Sequence, residues 1–164
     1  MKKVYLAGGC FWGTQHFFSL IDGILETKSG YANGTKENPT YEEVCSNEFE
    51  FAETVEIQYD EKVISLERIL QKFFLTINPT SKNRQGGDIG LQYRTGIYYL
   101  DEQTEKIAKE ELSKLQTKVE KPIQIELLEL KNFYPAEEYH QEYLYKNPHG
   151  YCHIPLDILR KANE

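Results

Sequence analysis

Between Thr54 and Ile77 the hydrophobic period of the chain switches from two to 3.6, and this switch constrains its architecture more than any other feature. Val55, Ile57 and Tyr59 alternate with Glu56 and Gln58, the pattern of a strand with one buried face. Leu66, Ile69, Leu70, Phe73, Phe74 and Ile77 then recur at helical spacing behind Ser65, a natural N-cap, and Asn78-Pro79 ends the run. The same succession is readable elsewhere. A short strand at Val4–Ala7 precedes a helix over 11–20, and Gly23–Tyr31 gives a second strand closed by a turn at Asn33-Gly34. Thr95–Leu100 precedes a helix capped by Asp101 with Ala108, Leu112, Leu115 and Val119 on its face, stopped by Pro122. Ile123–Leu130 reads as a strand and Glu137–Tyr145 as a short helix. Interleaving of this kind predicts an α/β or α+β domain with helices packed on a sheet.

The 164 residues suit one domain, 1–164, which at this size buries about two thirds of its unfolded surface. Two segments, 31–40 and 78–93, resist assignment, and loops of that length in a compact domain are usually functional or mobile. The tail from Pro155 is expected to pack loosely, within a mobile segment around 146–164. A net charge of −7, with Lys and Arg scattered along the chain, argues against nucleic acid as a partner. Too few apolar residues follow Met1-Lys2-Lys3 for a signal-peptide core or a membrane span, so the expectation is a cytoplasmic protein with no membrane partner. Three cysteines without a C-x-x-C pair argue against a secreted disulfide framework and a structural zinc site. His149, Cys152 and His153 with His140 lack the paired spacing that usually marks a metal site.

The chemistry concentrates in Gly8-Gly9-Cys10-Phe11-Trp12-Gly13. A thiol at a strand-to-helix junction meets unpaired N–H groups and the positive end of the helix dipole, which is expected to lower its pKa from about 8.5 toward about 7. Phe11 and Trp12 would wall an apolar slot beside it. The bland alternative is a core cysteine, since free cysteine is often buried. Glu53 shares strand parity with Val55, Ile57 and Tyr59, so its carboxyl points to the apolar face, where desolvation favours the protonated form; a strand-end carboxylate reaching solvent is the competing reading. Tyr41, Tyr93 and Asp88 lie in or beside the long loops and could supply polar groups to a pocket. Cys152, in Asn147-Pro148-His149-Gly150-Tyr151-Cys152, is a second thiol on a turn-rich segment, suited to condense with a sulfenic acid. Cys45 reads as a packing residue.

These motifs together resemble the A-type peptide methionine sulfoxide reductases over nearly the whole chain. The likeness rests on Gly8 to Gly13, Gly30-Tyr31, Asn38-Pro39-Thr40-Tyr41, Ala52-Glu53, Gln85-Gly86 with Asp88, and Gln92-Tyr93-Arg94. It continues through Phe133-Tyr134, His140-Gln141 and Asn147 to Cys152. The resemblance implies that Cys10 attacks the sulfur of the S epimer of methionine sulfoxide while Phe11 and Trp12 hold its methyl group. It implies Glu53 as proton donor, Tyr41 and Tyr93 as hydrogen-bonding phenols, Asp88 as organiser of the polar site, and Cys152 as resolving thiol. It further implies thioredoxin as reductant, no metal or organic cofactor, and a two-layer sandwich with a mixed sheet related to ferredoxin-like plaits. Phe51 and Ile89 stand where the family commonly has histidines, and Gln15 where it often has Glu. Two other classes remain: a cysteine hydrolase or acyltransferase using His140 or His149 as base, and a non-catalytic domain that grips apolar side chains.

Overall fold

The computed structural model describes residues 2–164. Its first half runs β1 (Lys2–Gly8), α1 (Phe11–Ser19), β2 (Ile24–Ala32), α2 (Tyr41–Cys45), β3 (Ala52–Tyr59) and α3 (Leu66–Leu75). The second half runs β4 (Arg84–Gln85), β5 (Asp88–Ile89), β6 (Thr95–Tyr99), α4 (Glu102–Gln116), β7 (Glu126–Glu129), β8 (Phe133–Pro135), α5 (Tyr143–Lys146) and α6 (Leu156–Arg160). Six strands form one mixed sheet in the order β7-β6-β1-β3-β2-β8, antiparallel except for β6 beside β7. The parallel pair needs a crossover, and α4 supplies it.

Strand alternation decides what the sheet buries. Val4 and Leu6 of β1, Val55, Ile57 and Tyr59 of β3, and Ile97 of β6 share a core with Phe17 and Phe18 of α1, Ile69, Leu70 and Phe73 of α3, and Ala108 and Leu112 of α4. Tyr5, Ala7, Ala32, Ala52 and Tyr98 form a smaller cluster with Leu130 and Phe133. Ser65 and Asp101 cap α3 and α4 through their side chains, as their sequence positions predict. Continuing the β1–β3 register beyond Leu6↔Val55 puts Glu53 opposite Gly8, at the end of the sheet where α1 begins.

Three expectations fail locally, each to hydrogen bonds made at long range. The helix expected over Glu137–Tyr145 is broken: Glu142 adopts φ 52°, and only Tyr143–Lys146 is α-helical. Gln141 spends its side chain on both backbone groups of Ser29, and Glu142 N–H donates to Gln15 Oε1. The α4 helix stops at Gln116, whose amide binds Lys121 O and Ile123 N–H, leaving the following strand only Glu126–Glu129. The tail from Pro155 is not loose. It forms α6, Ala162 is buried, Lys72 Nζ donates to the carbonyls of Ala162 and Glu164, and the Asn163 side chain bridges Leu20 O and Asp22 N–H.

Candidate active site

Cys10 occupies the point where β1 gives way to α1. Gly9 turns the chain with φ +86°, a conformation that side chains rarely tolerate, and Cys10 follows as N-cap with φ −61° and ψ 125°. The thiol is free and 7% exposed. Its expected low pKa is not found: burial pushes the thiol well above its ordinary value, the Glu53 charge adds to that, and a hydrogen bond from Trp12 N–H offsets only part. Desolvation therefore outweighs the helix terminus in this structure.

Glu53 is 1% exposed and lies against the first turn of α1, Oε1 accepting from Phe11 N–H at 3.3 Å. Its Oε2 is buried without a protein partner. Burial raises this carboxyl from 4.5 to about 8, against the Phe11 N–H bond and with help from the Asp88 charge. At neutral pH the carboxyl is thus mostly protonated, as strand parity suggests, and one proton-bearing oxygen is unclaimed.

The loops bring the other polar groups to the same place. Thr40 and Glu43 close a capping box around α2, fixing Tyr41 as its first residue. Burial, then the charge of Glu53, raises the phenols of both Tyr41 and Tyr93. Burial and the nearby Glu53 thus favour the hydrogen-donating form of both rings. Asp88 stands across the Gly86-Gly87 turn from Gln85; burial raises its pKa and the Tyr151 hydroxyl opposes that rise. The Tyr151 oxygen also accepts from Gly87 N–H at 3.3 Å. Cys152 follows, half-buried and close enough that its charge would raise the Cys10 thiol further.

Phe11 is fully buried, its ring 5.8 Å from Tyr31 and 5.2 Å from His140. Trp12 stacks on Tyr143 at 3.7 Å and donates from Nε1 to His140 Nδ1 at 3.0 Å. The tryptophan, not the phenylalanine, is the ring at the surface.

His140 is the main residue that sequence reading misplaces. It is 1% exposed among the rings of Phe11, Trp12, Tyr41 and Tyr139, where it anchors the indole. No hydrogen bond joins it to Cys10 among the described residues, and His149 is exposed, so neither forms a thiol–imidazole pair. Among those residues no three metal-ligating side chains converge, and the His149, Cys152, His153 and His140 grouping is not assembled. Glu137 was also not foreseen: it accepts from Tyr31 Oη at 2.8 Å and from Tyr41 N–H at 3.1 Å, pinning α2 to β2. Cys45 borders Tyr41 and Gln92 rather than simply filling core, a closeness foreshadowed by the i, i+4 spacing of Tyr41 and Cys45. Of the departures, Phe51 is buried against Tyr134, Ile89 is 67% exposed, and Gln15 joins Ser29 to Glu142.

The family model for peptide methionine sulfoxide reductase matches residues 2–164. A peptide methionine sulfoxide reductase from Clostridium acetobutylicum is 56% identical over 98% of this chain and 99% of its own length. The crystal structure of Mxr1 from Saccharomyces cerevisiae in reduced form superposes with a TM-score of 0.88 at 41% identity, covering 92% of this chain and 88% of that one. Mxr1 in complex with Trx2 gives 0.52 at 29% identity, covering 87% and 84%.

Proposed function

The chain belongs to the peptide methionine sulfoxide reductase family, and from that premise we propose that it reduces the S epimer of methionine sulfoxide through Cys10, with Glu53 as proton donor and Cys152 as resolving thiol. The observation that carries this reading is the Glu53 carboxyl: buried, its pKa raised by that burial, tied by one oxygen to the residue after Cys10 and free at the other. Sulfoxide oxygen is a poor leaving group until protonated, so a neutral acid beside the thiol meets the requirement of the reaction.

In the first step the Cys10 sulfur attacks the sulfoxide sulfur while Glu53 protonates its oxygen and regains a proton from the thiol. The oxygen passes to Cys10, methionine leaves reduced by two electrons, and Cys10 is left as a sulfenic acid. Tyr41 and Tyr93 hydrogen-bond the oxygen as its charge grows, and Asp88 keeps that side of the pocket polar. Trp12, backed by Phe11, receives the methyl group. Cys152 then condenses with the sulfenic acid, releasing water and forming a disulfide. Thioredoxin reduces that disulfide, a reading supported by the Trx2 complex of the yeast relative. The residues are read as one catalytic domain in which the stretch between α5 and α6 that carries Cys152 moves during this step, while α6 and the last residues stay tied by Lys72 and Asn163. The strand order β6-β1-β3-β2 with α1 and α3 as crossovers supports a two-layer, ferredoxin-like core. No helix among the described residues is long and apolar enough to cross a membrane, and the free thiols fit a reducing cytoplasm.

The test is thioredoxin-dependent NADPH oxidation with each separated epimer of a methionine sulfoxide peptide, using wild type and Cys152→Ser. Turnover of the S epimer alone, lost in the variant after a single methionine, is the expected result. Equal use of both epimers, or undiminished cycling of Cys152→Ser, overturns it.

A further inference from the structure

Glycines line one side of the tripeptide Tyr151-Cys152-His153. A Cβ built on Gly86 would sit 3.2 Å from Tyr151 Oη and 3.3 Å from His153 Cβ, and one on Gly9 would sit 3.4 Å from His153 Nε2. Both positions have positive φ, so their backbone alone accounts for glycine. Gly13 has no such excuse. It lies inside α1, in a conformation any residue adopts and where glycine weakens a helix. What it provides is room: a Cβ there would stand 3.1 Å from Cys152 Sγ, 3.2 Å from His153 Nδ1 and 3.3 Å from His153 Cε1.

Cys10 is the N-cap of α1 and Gly13 its third residue, and the Cys10 thiol takes the Trp12 N–H and feels the Cys152 charge, so the Gly13 position and both thiols lie together at the start of the helix. The missing side chain leaves a notch there, and the second thiol is seated in it. We propose that Gly13 is a positioning residue for disulfide formation: it holds Cys152 Sγ against the Cys10 end of α1, ready to attack the sulfenic acid once methionine has left. This rests on the reading of Cys152 as resolving thiol. It adds that the speed of resolution is set by the fit of Cys152 and His153 into a helix notch. In the step concerned, Cys152 Sγ forms a bond to Cys10 Sγ, the S–O bond of the sulfenic acid breaks, and the thiol proton leaves with the oxygen as water.

Gly13→Ala tests the notch. The reduced variant is mixed with a stoichiometric amount of methionine S-sulfoxide peptide, and methionine release and thiol loss are followed separately by acid quench, alkylation and mass spectrometry. Methionine release should stay within about twofold of wild type, while disulfide formation slows by about tenfold, the kinetic equivalent of about 1.4 kcal/mol of misfit. Sulfenic acid should accumulate and react with a dimedone-type probe. Removing the imidazole in Gly13→Ala/His153→Ala should recover part of the lost rate, the Cys152 Sγ contact remaining, and damage to α1 would give no such rescue. His153→Trp, which overfills the notch without altering α1, should reproduce the slow resolution, so the idea stays testable if Gly13→Ala folds poorly. A wild-type rate of disulfide formation in both single variants, or an equal slowing of methionine release and disulfide formation, refutes the notch. Cycling of Cys152→Ser at the wild-type rate would instead refute the underlying two-thiol reading.

Discussion

Replacing Glu53 by Gln keeps the volume and the hydrogen bond to Phe11 N–H but removes the transferable proton. With a pKa of about 8, wild-type Glu53 is about 90% protonated at pH 7 and about 10% at pH 9. Below pH 8 both proteins present a neutral side chain to Cys10, so their comparison isolates proton donation. A positioned general acid contributes about 10²–10⁴ in rate, and Glu53→Gln should lose that much methionine release at pH 6–7 in single-turnover quench experiments. The gap should narrow by about tenfold toward pH 9, because wild type surrenders its acid there and the carboxylate charge makes the Cys10 thiol harder still to ionise. Stability supplies a second reading of the same group. Folding raises this pKa, so the stability it contributes is fully present below the unfolded value near 4.5 and is lost as pH rises through about 8. At up to about 1.4 kcal/mol per pH unit, wild type should lose about 3.5 kcal/mol relative to Glu53→Gln between pH 5 and 8, measured by urea denaturation. A variant within twofold of wild type at pH 7, or a rate ratio and stability difference that ignore pH, would refute the assignment of Glu53.

Cys10→Ser should release no methionine at any pH, since a hydroxyl at that site is neither nucleophilic enough nor oxidisable to a sulfenic acid; mass spectrometry of the quenched reaction checks both. Lys72→Met should free the tail by removing the ammonium that binds the carbonyls of Ala162 and Glu164, at a cost of about 1–3 kcal/mol in urea melts. Limited proteolysis of that variant should cut first between α5 and α6, and an unchanged cleavage pattern would show that Lys72 does not hold the segment.

Much of this architecture is legible in the sequence because the determinants are local. Strand parity alone put Glu53 on the buried side, and the caps Ser65 and Asp101 mark true helix starts. Where local signals fail, distant groups compete for the backbone. Nothing near Glu142 announces that Gln15, on another helix, will claim its N–H and break a plausible helix. The resting pKa of Cys10 fails for a different reason: position at a helix terminus is visible in sequence, but depth of burial is a tertiary property and here it dominates. His140 escaped because a histidine's partners cannot be read from spacing, and its neighbours come from α1, α2 and the segment after β8.

The stack of Trp12 on Tyr143 has an optical consequence. Trp12 is the single tryptophan of the chain, so all indole emission originates two residues from Cys10. Its ring lies flat on the first residue of α5, the element that leads into Cys152, and its N–H is held by His140. On the proposed two-thiol reading, any shift of α5 as Cys152 bonds to Cys10 alters the surroundings of that fluorophore. The protein therefore carries its own label for the proposed redox cycle, with no other indole to contribute background.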